Sequence, residues 1–191
     1  INLKFKKMKT LQESDFIEAA KLLNCEVAEI KAVAEVESLG SGFLSNGKPK
    51  ILFERHYFHR LTGGKFSAQN PDISNKSSGG YTSNEYARLE KASALNRNAA
   101  LQSASWGKFQ IIGEHWKSLG YATLQEFINA MFASEAEQLL AFVRFVKVNK
   151  LDDELRRKDW AGFARGYNGS GYAKNSYDKK MKTAYEKFSK K

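Results

Sequence analysis

Apolar residues recur every three to four positions along most of the chain, which is the pattern of helices that bury one face. This pattern predicts helices over residues 15–24, 27–38, 56–62, 85–101, 124–150, 160–167 and 177–188. Gly40 and Gly42 end the second predicted helix, and Gly63 and Gly64 end the third. The chain is therefore predicted to be mainly helical.

Two segments between the predicted helices have a different pattern. Residues 43–53 (FLSNGKPKILF) place the turn pair Asn46-Gly47 between apolar residues, which predicts a short β-hairpin. Residues 65–84 are rich in Ser, Asn and Gly, and they predict a long surface loop of a kind that is often functional. Because no linker is visible, we expect one mainly α (α+β) domain over residues 1–191, with one small β-hairpin inserted early.

Composition restricts the class of protein. The chain has 191 residues, 42% of them hydrophobic and 27% charged, which suits a globular domain with its own core. A membrane span needs a run of about 18 apolar residues, and the sequence contains none. The lysine-bearing N-terminus lacks the apolar region of a signal peptide. Cys25 is the single cysteine, which excludes an internal disulfide, and we expect it to be a small buried residue.

The net charge of +10 favours a polyanionic partner, such as an anionic cell wall, an anionic membrane surface or nucleic acid. Many lysines crowd residues 174–191, between apolar residues at helical spacing. This pattern predicts a terminal amphipathic helix, which could also attract an anionic wall or outer membrane. A nucleic-acid partner is supported by charge alone, because the sequence has no helix-turn-helix or base-stacking motif.

One carboxylate stands out in the second predicted helix. Its apolar stripe runs through Ile30, Val33 and Ala34, and the next position on that face is Glu37. Partial burial and the negative end of the helix dipole would both raise the pKa of Glu37. Such an acid can protonate the leaving oxygen in glycoside hydrolysis. The alternative is a solvated glutamate at a helix end, which suits Glu35 better because Glu35 faces away.

Three further motifs favour the catalytic interpretation. Residues 36–43 (VESLGSGF) resemble the segment of goose-type lysozymes and lytic transglycosylases in which a Glu-Ser pair ends a core helix. Residues 103–111 (SASWGKFQI) resemble the Gly-x-x-Gln-Ile segment of the same superfamily, and residues 163–169 (FARGYNG) resemble its Tyr-Asn-Gly segment. With residues 51–64 (ILFERHYFHRLTGG), the chain resembles the phage N-acetylmuramidase endolysins from about Ser14 to Phe188.

The resemblance implies a lysozyme-like fold and a muramidase that cleaves the β-1,4 bond between N-acetylmuramic acid and N-acetylglucosamine. Residues 1–191 would form its catalytic domain, with no room for the N-terminal wall-binding module that members often carry. It also implies a monomer, made in the bacterial host cytoplasm without a signal peptide. After release, this protein would act on peptidoglycan in the periplasm or exterior.

A second carboxylate, Glu54, distinguishes hydrolysis from the reaction of lytic transglycosylases. Glu54 follows the predicted hairpin, where lysozyme-like enzymes place the residue that activates water. Inverting hydrolysis needs its two carboxyl groups roughly 6.5–9.5 Å apart, and Glu54 could meet this from the hairpin side of a cleft. Its alternative is an ordinary glutamate at a helix N-terminus. Lytic transglycosylases lack this base and form a 1,6-anhydro ring, so Glu54 favours a hydrolase.

The resemblance assigns five further residues to the cleft. Gln110 would hydrogen-bond a sugar or its N-acetyl group, with Phe109 packed beneath it. Tyr167 would lie against Glu37 and hold its orientation, although an ordinary core tyrosine is the alternative. Asn168 would contact a sugar, and Ser38 would touch substrate.

Other signals are weaker. His56 and His59 share a predicted helix face, but no Cys, Asp or Glu ligands match them, so we expect no metal and no cofactor. Glu135 and Glu137 are expected at the surface of a long helix, or supporting the cleft from behind. Two alternatives remain beside the muramidase: a lytic transglycosylase, and a non-catalytic wall- or polyanion-binding protein on the same scaffold.

Overall fold

Helices make up most of the structure, a computed structural model that describes residues 9–38 and 40–190. The α-helices are α1 (Glu13–Leu23), α2 (Val27–Glu37), α3 (Arg55–Leu61), α4 (Glu85–Gln102), α5 (Leu124–Ala133), α6 (Glu135–Val148), α7 (Asp152–Arg156), α8 (Trp160–Asn168) and α9 (Tyr177–Ser189). The strands are β1 (Ile51–Phe53), β2 (Ala104–Trp106) and β3 (Ile111–Ile112), and 3₁₀ helices cover Gly113–Trp116 and Ser170–Asn175. The predicted mainly α architecture with a small β element is confirmed.

The chain divides into two compact units, one of residues 1–42 and 133–191 and the other of residues 43–132. The first unit contains α1, α2 and α6 to α9, and the second contains the sheet, α3 and α4. Helix α5 ends at Ala133, at the boundary between them. Within the described ranges, no helix is both long enough and apolar enough to cross a bilayer. The single domain over residues 1–191 stays a prediction.

In the first unit, α2 packs against α1 and α9, and α1 also packs against α6. The predicted stripe of α2 forms part of this core, since Ile30, Val33 and Ala34 are buried. Helix α9 buries Met181 and Ala184 while its lysines stay exposed, so the predicted amphipathic C-terminal helix is confirmed. The buried stripe of α2 holds Glu37 at the C-terminal end of the helix.

The second unit is built on an antiparallel sheet in the order β1-β2-β3. Ile51 pairs with Trp106, Phe53 pairs with Ala104, and Trp106 pairs in turn with Ile111. The hairpin predicted over residues 43–53 is therefore wrong in its pairing. Its two arms meet only in an isolated bridge between Phe43 and Pro49, and β1 pairs with β2 instead. Proline has no N–H to continue a ladder.

The helix predicted over residues 124–150 is two helices. Ser134 separates α5 from α6, and its side chain accepts a hydrogen bond from the Glu137 N–H at 3.2 Å. The sequence Ser-Glu-Ala-Glu at 134–137 is a capping pattern that marks a helix start. The first helix also differs slightly from its prediction, because it begins at Glu13 rather than after Ser14 or Asp15.

Candidate active site

Glu37 is the last residue of α2, directly after the buried stripe of that helix. Its side chain is partly buried, and its Oε1 accepts a hydrogen bond from the Asn168 side-chain amide at 2.8 Å. Burial raises the pKa of Glu37 to about 7, and the Asn168 hydrogen bond acts in the opposite direction. The carboxyl group is therefore part protonated and part ionised at neutral pH.

Asn168 and Tyr167 lie at the C-terminal end of α8. The Tyr167 ring contacts the rings of Phe142, Phe145 and Phe163, with centroids 5.6, 5.3 and 5.7 Å away. Burial, followed by the nearby Glu37 carboxylate, raises the pKa of Tyr167 well above its ordinary value, so its hydroxyl stays protonated. This aromatic packing fixes the end of α8 and with it the amide that reaches Glu37.

Asn168 should set the pH at which Glu37 loses its proton. Its amide stabilises the ionised carboxylate, so Asn168→Ala should raise the pKa of Glu37. If Glu37 is a general acid, the alkaline limb of the kcat/KM profile, near pH 7 in the parent, should move to higher pH. Asn149→Ala is the control, since among the described residues that side-chain amide donates to the Phe145 carbonyl and not to Glu37. An alkaline limb that stays in place or moves down would contradict this link.

The chain leaves α2 through Ser38, a buried C-cap residue whose hydroxyl donates to the Ala34 carbonyl. Further along, the Gly42 N–H donates to Glu135 Oε1 at 2.6 Å, and the Leu11 N–H donates to Glu135 Oε2 at 3.0 Å. Glu135 is 3% exposed, so its predicted surface position is wrong. Because both its oxygens accept backbone N–H groups, Glu135 holds two loops of this unit together.

Glu54 lies in the second unit, as the N-cap residue of α3. Its side chain makes no capping hydrogen bond, which separates it from an ordinary helix-start residue. Instead, Oε2 accepts a hydrogen bond from the Tyr81 hydroxyl at 2.9 Å, and His56 Nδ1 lies 3.3 Å from the same oxygen. The Glu54 backbone N–H donates to the Ser103 carbonyl at 2.8 Å, which ties the residue to the start of β2.

Gln110 and Phe109 lie in the turn between β2 and β3. Phe109 is buried, whereas Gln110 is exposed and has a φ of 50°. A left-handed backbone is uncommon for a residue other than glycine, and such residues cluster at functional sites. The Gln110 side-chain amide donates to the Gly107 carbonyl at 2.9 Å.

His56, His59 and Cys25 carry no separate site. His59 Nδ1 lies 2.7 Å from the Ser67 hydroxyl, while His56 faces Glu54. Burial raises the pKa of the half-buried Cys25 to about 12, which keeps its thiol protonated and unreactive. Over residues 9–38 and 40–190, the structure places no three His, Cys, Asp or Glu side chains together as a metal site.

The structure brings together Glu37, Tyr167 and Asn168 in the first unit, where Ser38 also lies. Glu54, Phe109 and Gln110 lie in the second unit. The sequence did not predict the Asn168 hydrogen bond to Glu37 or the Tyr81 hydrogen bond to Glu54. Their partners are 131 and 27 residues apart in the chain, and no local pattern links them.

A mainly helical fold with a small antiparallel sheet and a partly buried acid at a helix end is the architecture of lysozyme-type glycosidases. The sequence model of the N-acetylmuramidase family matches residues 26–189, and the chain belongs to this family. It is also similar to the endolysin of Burkholderia phage AP3, whose crystal structure matches with a TM-score of 0.92 and 44% identity. That match covers 100% of this chain and 76% of the endolysin. Comparison with curated protein sequences finds no significant match. The predicted resemblance and lysozyme-like fold class are confirmed.

Proposed function

We propose that this protein hydrolyses the β-1,4 bond between N-acetylmuramic acid and N-acetylglucosamine in peptidoglycan, with Glu37 as general acid. The observation that carries the proposal is the environment of Glu37, where burial raises the pKa to about 7. A carboxyl group with this pKa keeps a proton near neutral pH and still releases it readily. Protonation of the leaving oxygen by Glu37 is the step that breaks the glycosidic bond.

Glu54 is the proposed base that removes a proton from the attacking water. Its carboxylate is supported by a hydrogen bond from Tyr81 and is not used to cap α3, so the ordinary structural role of a helix-start glutamate does not account for it. The further residues that we propose to contact substrate are Ser38, Phe109, Gln110, Tyr167 and Asn168. The left-handed turn at Gln110 supports a sugar-binding role for its exposed side chain.

The biological role we propose is that of a bacteriolytic endolysin, by analogy with the phage AP3 protein. Its substrate would be the glycan strands of bacterial peptidoglycan, and its site of action the cell wall. The net charge of +10 supports this role, because an anionic wall attracts a cationic enzyme.

Digestion of isolated peptidoglycan by the purified protein tests the proposal. Mass spectrometry of the products should show N-acetylmuramic acid at reducing ends. Products ending in 1,6-anhydromuramic acid would show a lytic transglycosylase instead. Binding to peptidoglycan without release of fragments would show a non-catalytic wall-binding protein.

The lysines of α9 are proposed to draw the protein onto the wall. Lys179, Lys180 and Lys182 are exposed, and they form no ion pair with any other described residue. Reversing all three to Glu should weaken binding to whole sacculi strongly at low salt. The loss should shrink as ionic strength rises, because exposed charges are screened beyond about 8–10 Å. Sedimentation with sacculi across a salt series measures this effect.

A short soluble glycan separates docking from folding in the same variant. Cleavage of such a glycan should be almost unchanged, since the three lysines act on the polymer and not on the bond. Equal losses on sacculi and on the soluble glycan would show that α9 matters for folding instead.

A further inference from the structure

One carboxylate oxygen of Glu54 accepts a hydrogen bond, and the other accepts none from the described residues. Oε2 accepts the Tyr81 hydroxyl at 2.9 Å and lies 3.3 Å from His56 Nδ1, while Oε1 has no hydrogen-bond partner among the described residues. The side chain is 15% exposed, so water still reaches it. This arrangement suits a base for water, because one oxygen is fixed and the other is available to take the proton.

Tyr81 belongs to the long loop of residues 65–84, and Arg55 holds the backbone of that loop. Its guanidinium group donates to the carbonyl oxygens of Ser77, Ser78 and Pro71 at 2.9, 3.0 and 3.3 Å. Arg55 directly follows Glu54 in the chain. The loop is therefore fastened to the residue next to the carboxylate that Tyr81 contacts.

Arg88 of α4 holds the same loop from the other side. One of its nitrogens donates to the Asp72 and Gly79 carbonyls at 2.8 and 3.2 Å, and the other donates to the Phe53 carbonyl at 2.9 Å. Arg88 is 6% exposed and forms an ion pair with Glu85 at 2.9 Å. This buried arginine therefore joins the loop to Phe53, the last residue of β1, which directly precedes Glu54.

Gly80 shows how closely the loop fits between the two arginines. Its φ is +73°, and a Cβ there would lie 3.1 Å from Arg55 Nη1 and 3.3 Å from Arg88 Nη2. A residue with a side chain would be strained by the backbone conformation and crowded by both guanidinium groups. This close fit fixes the backbone of the loop directly before Tyr81.

We propose that Tyr81 is a positioning residue for Glu54, and that Arg55 and Arg88 hold the loop so that the Tyr81 hydroxyl fixes Oε2 and leaves Oε1 to water. The inference rests on the proposed role of Glu54 as the base. Burial, with the hydrogen bond to Glu54, raises the pKa of Tyr81, so its hydroxyl stays a donor at every pH at which the enzyme would work.

The test is Tyr81→Phe, assayed on a soluble glycan. The variant keeps the ring but loses the hydroxyl, so Glu54 can turn away from the attacking water. Misplacement of a catalytic group by about 1 Å can cost about 100-fold, and we expect kcat to fall about 10- to 100-fold. KM should stay within about twofold, because Tyr81 is not proposed to touch substrate.

Tyr185→Phe is the matched control. The Tyr185 hydroxyl also donates to an N-cap glutamate, Glu26, at 2.8 Å, but this pair lies in the first unit and has no proposed catalytic role. The control should lose as much thermal stability as Tyr81→Phe while kcat stays at the parent value. Arg55→Lys should lower kcat in the same way as Tyr81→Phe, since one ammonium nitrogen cannot reach three carbonyls that three separate guanidinium nitrogens bind.

Coupling between these positions gives the decisive comparison. The Tyr81→Phe and Arg55→Lys changes should not multiply when combined, because both act by releasing the same carboxylate. A parent-like kcat for Tyr81→Phe, with Glu54→Gln inactive, would overturn the positioning role and leave Glu54 as the base. An active Glu54→Gln protein would overturn both that proposed base and this inference.

Discussion

Replacing Glu37 with glutamine should lower turnover of peptidoglycan by at least about 10²–10⁴-fold, the usual contribution of a positioned general acid. Glutamine keeps the shape of the side chain and an oxygen that can accept the Asn168 hydrogen bond, but it carries no proton to give to the leaving oxygen. Release of soluble fragments from isolated peptidoglycan measures the loss. Near-normal turnover by the Glu37→Gln protein would refute the central proposal.

Glu35→Gln provides the matched control for this loss. Glu35 lies in the same helix two residues earlier, but it is exposed and pairs with Lys187 at 2.8 Å. Removing its charge should leave turnover almost unchanged, because exposed ion pairs contribute little to stability. A large loss in both variants would indicate damage to α2 and not the loss of an acid.

Thermal stability also distinguishes the loss of a catalytic acid from damage to α2. The pKa of Glu37 rises on folding from 4.5 to about 7, so its contribution to stability is full below about pH 4.5 and is lost as the pH rises through about 7. Glutamine has no charge to bury. The Glu37→Gln protein should therefore be at least as stable as the parent at pH 8, as measured by thermal unfolding.

The candidate acid was predictable because its signal is local. The stripe Ile30, Val33, Ala34 and Glu37 repeats at helical spacing, and the structure buries the three apolar members as that spacing requires. The hydrogen bond from Asn168 was not predictable in the same way. It depends on the packing of α8, and the sequence of α2 contains no information on which side chain approaches its end.

The strand pairing of the sheet was likewise not predictable from the local sequence. Asn46-Gly47 is a true turn signal, and the Leu44 N–H does donate to the Lys48 carbonyl at 2.8 Å beyond that turn. The partner of β1 lies more than fifty residues later, however, where Ala104 and Trp106 supply apolar side chains that the local turn could not. Long-range pairing is decided by burial in the folded unit, so a hairpin signal predicted the turn and not the ladder.

Tyr81 illustrates a site residue that the sequence pattern concealed. Its loop was predicted as a long surface loop of a kind that is often functional, and in the structure two arginine side chains bind the carbonyls of this loop. Neither arginine is distinctive in the sequence, because Arg88 stands inside an ordinary helical pattern and Arg55 directly precedes one. Charged residues of this kind become informative only when the backbone groups they bind are known.

Replacing Glu54 with glutamine should abolish hydrolysis while leaving glycan binding intact. An inverting hydrolase needs a base that takes a proton from water on the face of the sugar opposite the acid, and glutamine cannot accept that proton. Binding should persist because glutamine keeps the volume of the side chain and an oxygen that can still accept the Tyr81 hydroxyl. Sedimentation with sacculi measures binding, and release of reducing ends measures hydrolysis.

The products of the parent protein complete this test, because the role of Glu54 predicts their stereochemistry. Direct attack by water activated at Glu54 inverts the anomeric centre, so NMR spectra recorded during digestion should show the α anomer of the new reducing end first. The β anomer should grow in later, by mutarotation. If the Glu54→Gln protein is fully active, Glu54 is a structural residue at the start of α3 and the water is activated elsewhere. If the parent releases anhydromuramyl products, no water is activated at all, and Glu37 works without a second carboxylate as in a lytic transglycosylase.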